Sequence, residues 1–505
     1  MVVLFALAYG EHERRIHSFL RGEIDWSGAP QYVPEHPPHP EAVDFERVHE
    51  ELLPRWSLAL SHATTPHGRY GADRSWQELD EALAGDRNLR ELFAETHVSL
   101  RDDPLGHARR IDYLLWAYNR YLDEQRVPWR LEAVLALRGE RPVLYAMTYE
   151  VLADAHSVEG HRLRLVRRAD PTSTVEGWLG KTGRDGEGAF VLMQRVLHFT
   201  VRHVWPAMHS AIDERRPAQE RSWLPFVRAE VEAELDPRTI ALLRETAVDQ
   251  QALIEVSEAI DAREICGSQF KLRGLPYNGL TPQIMRAIYI ALDFAGDHAD
   301  CPEITLDEAA RIVGASERLG TTPGLEDALE RLAMVVARSV AAHELRHVAD
   351  PEDLPCPGCS ERVVGVAREE VSGYLAALGT PGAGNLALLQ ACTTADSPNV
   401  QSAARRAVLE TLLPYGCSGP PHPRIYEHAA ALEEELFGER RGASPCRPDG
   451  GCAWEEERPP RRRKGPRRSN SLRATRYSAP SGIHKGSAAS MTGKRPSTPV
   501  SPFVE

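Results

Sequence analysis

No stretch of this 505-residue chain holds the roughly 18–20 consecutive apolar residues that a membrane-crossing helix requires. Cysteine is scarce: eight in a chain of this length do not build a disulfide-stapled fold. No internal repeat recurs, so a solenoid or propeller is not indicated. A phosphate-binding loop is missing as well. The glycine-rich segment Gly183 to Gly188 lacks the Gly-Lys-Ser/Thr ending and reads as a strand-to-helix turn. Most of the chain also lacks a basic surplus. The formal net charge is −13, but the stretch from Glu455 to Glu505 holds twelve Lys/Arg against four Asp/Glu and so carries +8. The body before it therefore carries −21, which disfavours nucleic acid as its main partner, because phosphate contacts need basic faces.

What remains is ordinary soluble composition, with 42% hydrophobic and 26% charged residues in a length sufficient for two or three domains. The opening Met-Val-Val-Leu-Phe-Ala-Leu-Ala-Tyr has neither a basic leader nor an evident cleavage site, and reads as a first core segment rather than a secretion signal. The compartment stays open, with the cytoplasm slightly favoured unless the opening run is the remnant of a signal that begins upstream. Four regions follow from texture: a helical 1–135, an α+β 136–250, a helical metal-binding 251–440 and a basic 441–505. In the first, Phe45 to Leu53 and Ile111 to Tyr118 show helical spacing. In the second, Pro142–Leu152, His161–Arg167 and Ser173–Gly180 read as short antiparallel strands, followed by a helix over about 188–210. The last, with Arg461-Arg-Arg-Lys-Gly-Pro-Arg-Arg468, has no core-forming pattern and is expected to be disordered. The fold class expected is mainly α with a small antiparallel sheet.

Chemistry concentrates after Pro323-Gly324. From Leu325 to about Val348 no Gly or Pro intervenes, and Leu325, Leu329, Leu332, Val336 and Val340 fall on one helical stripe. The next two stripe positions are His343 and His347, and Asp350-Pro351 stops the helix. His343-Glu344-Leu345-Arg346-His347 is the pattern HExxH. Its two histidines lie one turn apart, close enough to share a tetrahedral zinc ion. Glu344 points about 100° round the helix, beside such an ion rather than onto it. A carboxylate there can move a proton from water to a leaving amine. The plain alternative is a core helix ending in two imidazoles, each of which then needs a hydrogen-bond partner.

A catalytic zinc usually has three protein ligands and one open position. Over about 323–378 the sequence resembles the gluzincin class, the thermolysin-like HExxH zinc metallopeptidases, whose third ligand is a glutamate on a following helix. The metzincin pattern is absent, since 348–358 hold no histidine. Residues 362–378 read as that second helix and contain two glutamates. Glu370 shares a face, within about 40°, with Val363, Val366, Tyr374 and Ala377, whereas Glu369 lines up with Arg362, Gly373 and Ala376. Glu370 is therefore the expected third ligand. Glu370-Val-Ser-Gly-Tyr is also similar to the gluzincin glutamate motif, with a small residue three positions on; Tyr374 stands where the commonest version has Asp. The resemblance implies a Zn2+ held by His343, His347 and Glu370, with Glu344 activating water to cleave a peptide or protein substrate. The rival expectation is a helical binding or assembly protein with a structural or vestigial zinc. Oligomeric state is not legible.

Lesser features are weighed more plainly. Cys356-Pro-Gly-Cys359, between the two helices, reads first as a disulfide tightening the loop, ahead of a redox role because no βαβ context surrounds it, with a metal pair or unpaired thiols as alternatives. Tyr374, His422, Arg424, Tyr426 or His428 is a candidate oxyanion donor, the last four otherwise being a surface loop and helix start. His198, His203 and His209 do not share a helix face well and read as packing or surface residues.

Overall fold

Helices open the described part of the chain because apolar residues recur there at helical spacing and start signals precede them. The structure, a computed structural model, describes residues 32–438 apart from 62–65, 139–140, 158, 171–178, 184–187, 217–220, 263–305, 352–353, 360–365, 394–403, 405–407, 414–416, 418–420 and 422–423. The chain divides into two units, Met1–Arg458 and Pro459–Glu505, and every described residue belongs to the first. The apolar opening and the basic region beyond Phe437-Gly438 lie outside the described residues.

Four helices come first: α1 (Leu53–Ser61), α2 (Pro66–Leu83), α3 (Arg87–Asp102) and α4 (Ala108–Glu124). Asp86 caps α3, its carboxylate accepting from the Leu89 amide at 3.1 Å. Their apolar faces meet around Trp56, Phe93 and Tyr118, in a core that also takes Leu131, Leu144 and Ala146 from the sheet.

The sheet contains β1 (Trp129–Arg138), β2 (Arg141–His156), β3 (Arg162–Arg168), β4 (Gly180–Thr182) and β5 (Ala189–Leu192), in the order β1-β2-β3-β5-β4. β1, β2 and β3 form an antiparallel meander in which β2 and β3 are the first two expected strands, but β1 is not among them and β3 and β5 run parallel, so the sheet is mixed. β4 closes one edge, antiparallel to β5, and the amide of Gly183 donates to the Gly188 carbonyl at 2.7 Å. The glycine segment thus joins strand to strand rather than strand to helix. Two segments placed in expected helical stretches are strand instead, 129–135, which opens β1, and 189–192. In the first, Leu131, Ala133 and Leu135 alternate onto the core, and pairing with β2 outweighs the helix preference of a Leu/Ala/Glu run. In the second, all four residues are buried on both faces, which removes the alternation that marks a strand. Of the expected strand Ser173–Gly180, residues 173–178 lie outside the described residues.

The remaining helices are α5 (Met193–Phe199), which runs on through a π-turn at Thr200–Val204, then α6 (Leu224–Glu234), α7 (Pro237–Ala262) and α8 (Leu306–Thr321). α9 (Leu325–Ala349), α10 (Val366–Leu378), α11 (Gly384–Thr393) and α12 (Ile425–Phe437) follow; shorter helical turns such as Phe45–Arg47 and Trp205–Ala207 join the longer helices. The architecture is mainly helical with one small sheet. No described helix is long and apolar enough to cross a membrane.

α9 organises the centre. Its stripe residues Leu325, Leu329, Leu332, Val336 and Val340 are all buried, each contributing about 1.5–3 kcal/mol. They meet Leu163, Leu165, Ala189 and Val191 on one face of the sheet and Leu243 and Leu253 of α7. One core therefore spans residues from 155 to 389, across the expected boundary at 250, which falls within α7. α10, α11 and α12 add a third core around Leu375, Leu378, Leu388 and Ala429.

Candidate metal centre

The C-terminal turn of α9 emerges from this core carrying His343 and His347, and Asp350 ends the helix by turning to extended backbone. α10 packs along α9 with Glu370 in its first turns. Glu370 is buried while Glu369 is half-buried, as the phase of the helix leads one to expect. Asp350 and Ser372 tie the two helices together, the Ser372 hydroxyl donating to Asp350 Oδ2 at 2.7 Å.

Three ligand atoms converge. His343 Nε2 and His347 Nε2 stand 3.0 Å apart, and His343 Nε2 lies 3.6 Å from Glu370 Oε2. All three ligand atoms fall within 4.8 Å of one another. For zinc–ligand bonds of about 2.05 Å at tetrahedral angles, neighbouring ligand atoms sit about 3.3 Å apart. The observed 3.0 and 3.6 Å bracket that value, so the donor set fits one small tetrahedral cation. Burial pushes the His347 imidazole down to about 3, reinforced by His343, with Glu370 opposing. That keeps the ring neutral, the form a ligand needs. The side chains of His343 and Glu370 keep 14% and 11% of their surface open.

The close approach of the helices depends on a glycine. At Gly373 a Cβ would sit 2.8 Å from Cε1 and Nδ1 of His343 and 3.0 Å from Nε2. Only a residue without a side chain lets α10 come this near the ring. Tyr374, next along, packs edge-on against His343 with ring centroids 4.7 Å apart.

Glu344, one position after His343, packs against β4. A Cβ on Gly180 would fall 2.6 Å from its Cγ, and Thr182 Oγ1 lies 3.5 Å from its Oε2. Burial pushes the carboxyl up to about 7; Glu370 adds to the rise, while His343, Thr182 and Lys181 oppose it. A carboxyl near neutrality can both take up and return a proton at ordinary pH. Nothing in the sequence signals this neighbourhood, because Thr182 lies 162 positions before Glu344.

On the far side of α9, Arg346 is buried and pairs with Glu433 of α12 at 2.8 Å. Burial raises the Glu433 carboxyl and Arg346 offsets part of that. The motif's one basic residue thus anchors a neighbouring helix and does not face the cluster.

Of the oxyanion candidates, His422 lies outside the described residues. Arg424 pairs with Glu427 at 3.1 Å, Tyr426 donates to Glu427 at 3.3 Å, and both are exposed, as is His428. Tyr374 alone stands against a ligand. His203 is half-buried against Phe199, and His209 accepts from the Ala211 amide, in line with packing roles for that segment. Cys356–Cys359 and Cys392–Cys417 are disulfides. A second possible metal group, Glu35, His36 and Glu91, is largely exposed, and Glu91 is engaged by Arg87 at 2.7 Å. Comparison of the chain with protein-family models, curated proteins and solved structures finds no match.

Proposed function

We propose that this chain is a zinc-dependent hydrolase, with a peptide bond as the substrate, in which His343, His347 and Glu370 hold the metal. The observation that carries this reading is the convergence of two imidazole nitrogens and a carboxylate oxygen at tetrahedral spacing, with Glu344 beside them. Zinc bound there supplies a Lewis acid that polarises a carbonyl and lowers the pKa of water. The protein's own contributions are separable. His347 is held neutral by its surroundings and Glu370 brings one negative charge, so the set neutralises half of a divalent ion. Glu344, kept near neutrality by burial, takes a proton from the attacking water and returns it to the leaving nitrogen. Gly180 and Thr182 keep its carboxylate over the β4 edge. The peptide substrate follows from the HExxH-plus-glutamate resemblance rather than from any contact in the fold. The two disulfides favour an oxidising compartment over the cytoplasm.

The test is Glu344→Gln alongside the wild type. Glutamine keeps the side chain's shape but cannot accept the proton. The variant is expected to fold, to bind about one zinc per chain by elemental analysis, and to lose hydrolysis of a peptide library by at least roughly 10²-fold. Wild-type turnover in a folded, zinc-loaded variant removes Glu344 from the mechanism. Stoichiometric zinc with no hydrolysis by the wild type favours a binding or assembly protein with a structural metal instead.

A further inference from the structure

We infer that Cys356 and Cys359 form a thiol–disulfide exchange site whose redox state sets how firmly α12 is clasped to α9 and α10. The inference stands on the fold alone and does not require the metal.

The two residues are bridged across a sequence separation of only 3, in the segment joining α9 to α10. Loop-closure stabilisation grows with the number of residues enclosed, so this bridge constrains the unfolded chain far less than Cys392–Cys417, with a separation of 25. Its value to the fold lies elsewhere. Cys356 and Cys359 are half-buried and Pro357 and Gly358 between them are exposed, so the bridged turn lies at the surface within reach of a reductant. The amide of Cys359 donates to the Cys356 carbonyl at 3.2 Å, so the bridge and this hydrogen bond together close the turn.

The turn is docked on the end of α12. Gly358 N donates to the Leu436 carbonyl at 3.1 Å, one of the last carbonyls of that helix, which have no partner within it. Cys356 Sγ lies 3.4 Å from the same oxygen. A Cβ on Gly358 would fall 2.8 Å from the Glu435 carbonyl, so the approach is as close as backbone allows. One turn back along α12, Glu433 pairs with Arg346 of α9, and α12 packs on α10 throughout. The bridged turn therefore caps the helix that braces both others.

Exchange proceeds with a dithiol reductant. One thiolate of the dithiol attacks Cys359 Sγ, forming a mixed disulfide as the Cys356–Cys359 bond breaks. Cys356 Sγ leaves, takes a proton from solvent and donates it to the Leu436 carbonyl as a thiol hydrogen bond. The second thiolate of the reductant attacks its own mixed sulfur, releasing Cys359 as a thiol and leaving the reductant as a cyclic disulfide. Two electrons and two protons pass from the dithiol to the cysteine pair. Without the bond, the turn no longer holds Gly358 N against Leu436, and the clasp loosens.

The test uses the full-length protein under native conditions. It is titrated with dithiothreitol, trapped with N-ethylmaleimide, peptide-mapped and followed by amide hydrogen exchange. Cys356 and Cys359 are expected to label at dithiothreitol concentrations at least tenfold below those that label Cys392 and Cys417. Exchange within 366–378 and 425–437 is expected to quicken severalfold on that reduction, with 87–124 unchanged. A Cys356→Ser/Cys359→Ser double variant should exchange at the fast rate already and ignore the reductant. Equal or reversed reduction order overturns the exchange site. Selective reduction with unchanged protection, or a double variant as protected as the oxidised wild type, overturns the clasp. Neither readout depends on zinc, so these failures are distinct from failure of the hydrolase reading.

Discussion

Gly373→Ala is the sharpest probe of the helix pair, because the added methyl group has one defined neighbour. It would stand 2.8 Å from two atoms of the His343 ring and 3.0 Å from the nitrogen that faces the other ligands. Ordinary carbon contacts lie at about 3.5–4.0 Å, so something must yield by roughly 0.7–1 Å. α10 cannot retreat freely, since Leu375 and Leu378 behind it are buried in the third core. The ring is held in turn by the edge of Tyr374. Forcing a methyl group into packing of this kind costs about 1–3 kcal/mol. Alanine also favours a helix over glycine by about 1 kcal/mol, which offsets part of that cost. Global stability should therefore fall by only about 0–2 kcal/mol, a poor diagnostic on its own. Metal affinity separates the effects, because ligand distances tolerate only about 0.2 Å. Displacing His343 Nε2 by several tenths of an ångström should weaken zinc binding about 10–100-fold, equivalent to about 1.4–2.8 kcal/mol. Competition against a chromophoric chelator measures this, with denaturant unfolding of the metal-free proteins in parallel. A Gly373→Ala protein whose zinc affinity stays within about twofold of the wild type refutes the placement of α10 against His343.

Glu370→Gln should reduce zinc affinity far more than Glu369→Gln in the same chelator assay, since only Glu370 reaches His343; the reverse order reassigns the ligand. His49 tests the N-terminal core through pH. Its Nδ1 donates to the Phe45 carbonyl, Tyr118 donates to its Nε2, and burial pushes it down to about 3 from 6.5. A His pKa depressed on folding leaves stability intact above about 6.5 and erodes it as pH falls towards 3, by about 1.4 kcal/mol per unit. Wild type should thus lose about 2–3 kcal/mol more than His49→Gln between pH 6.5 and 4.5 in urea melts, and parallel curves would contradict the burial. Glu433→Ala breaks the buried pair with Arg346 and should cost about 3 kcal/mol. Arg346→Met combined with Glu433→Leu should recover most of that loss, and a double variant worse than Glu433→Ala alone counts against the pair's role.

The helix that carries the motif was legible almost to the residue, because two signals coincide there. Its stripe repeats at helical spacing from Leu325 to Val340, and Asp350-Pro351 ends it. The sheet was less legible. β1 is written in Leu, Ala, Glu and Arg, residues that suit helices, and only its alternation onto the first core makes it a strand. β5 has no polar face to alternate with. In both, cross-strand partners decide the conformation, and those partners lie outside the local window.

The site divides along the same line. His343, His347 and the preference for Glu370 over Glu369 follow from helix phase, since each helix buries the face that its neighbour covers. Phase does not explain the small residue three positions after Glu370: it groups Gly373 with Glu369, yet Gly373 also lies against the His343 ring, so the face turned to α9 is wider than the Glu370 stripe. What surrounds Glu344 follows no phase rule. Its partner strand comes from the sheet edge far back in the chain, and three residues of β4 carry no pattern of their own. The same is true of Arg346 and Glu433, which meet only because α12 returns to cover α9. The meeting of His343, His347 and Glu370 is a local property of two helices. Burial of Glu344, and with it the protonation state the proposed chemistry uses, is set by the tertiary fold around them.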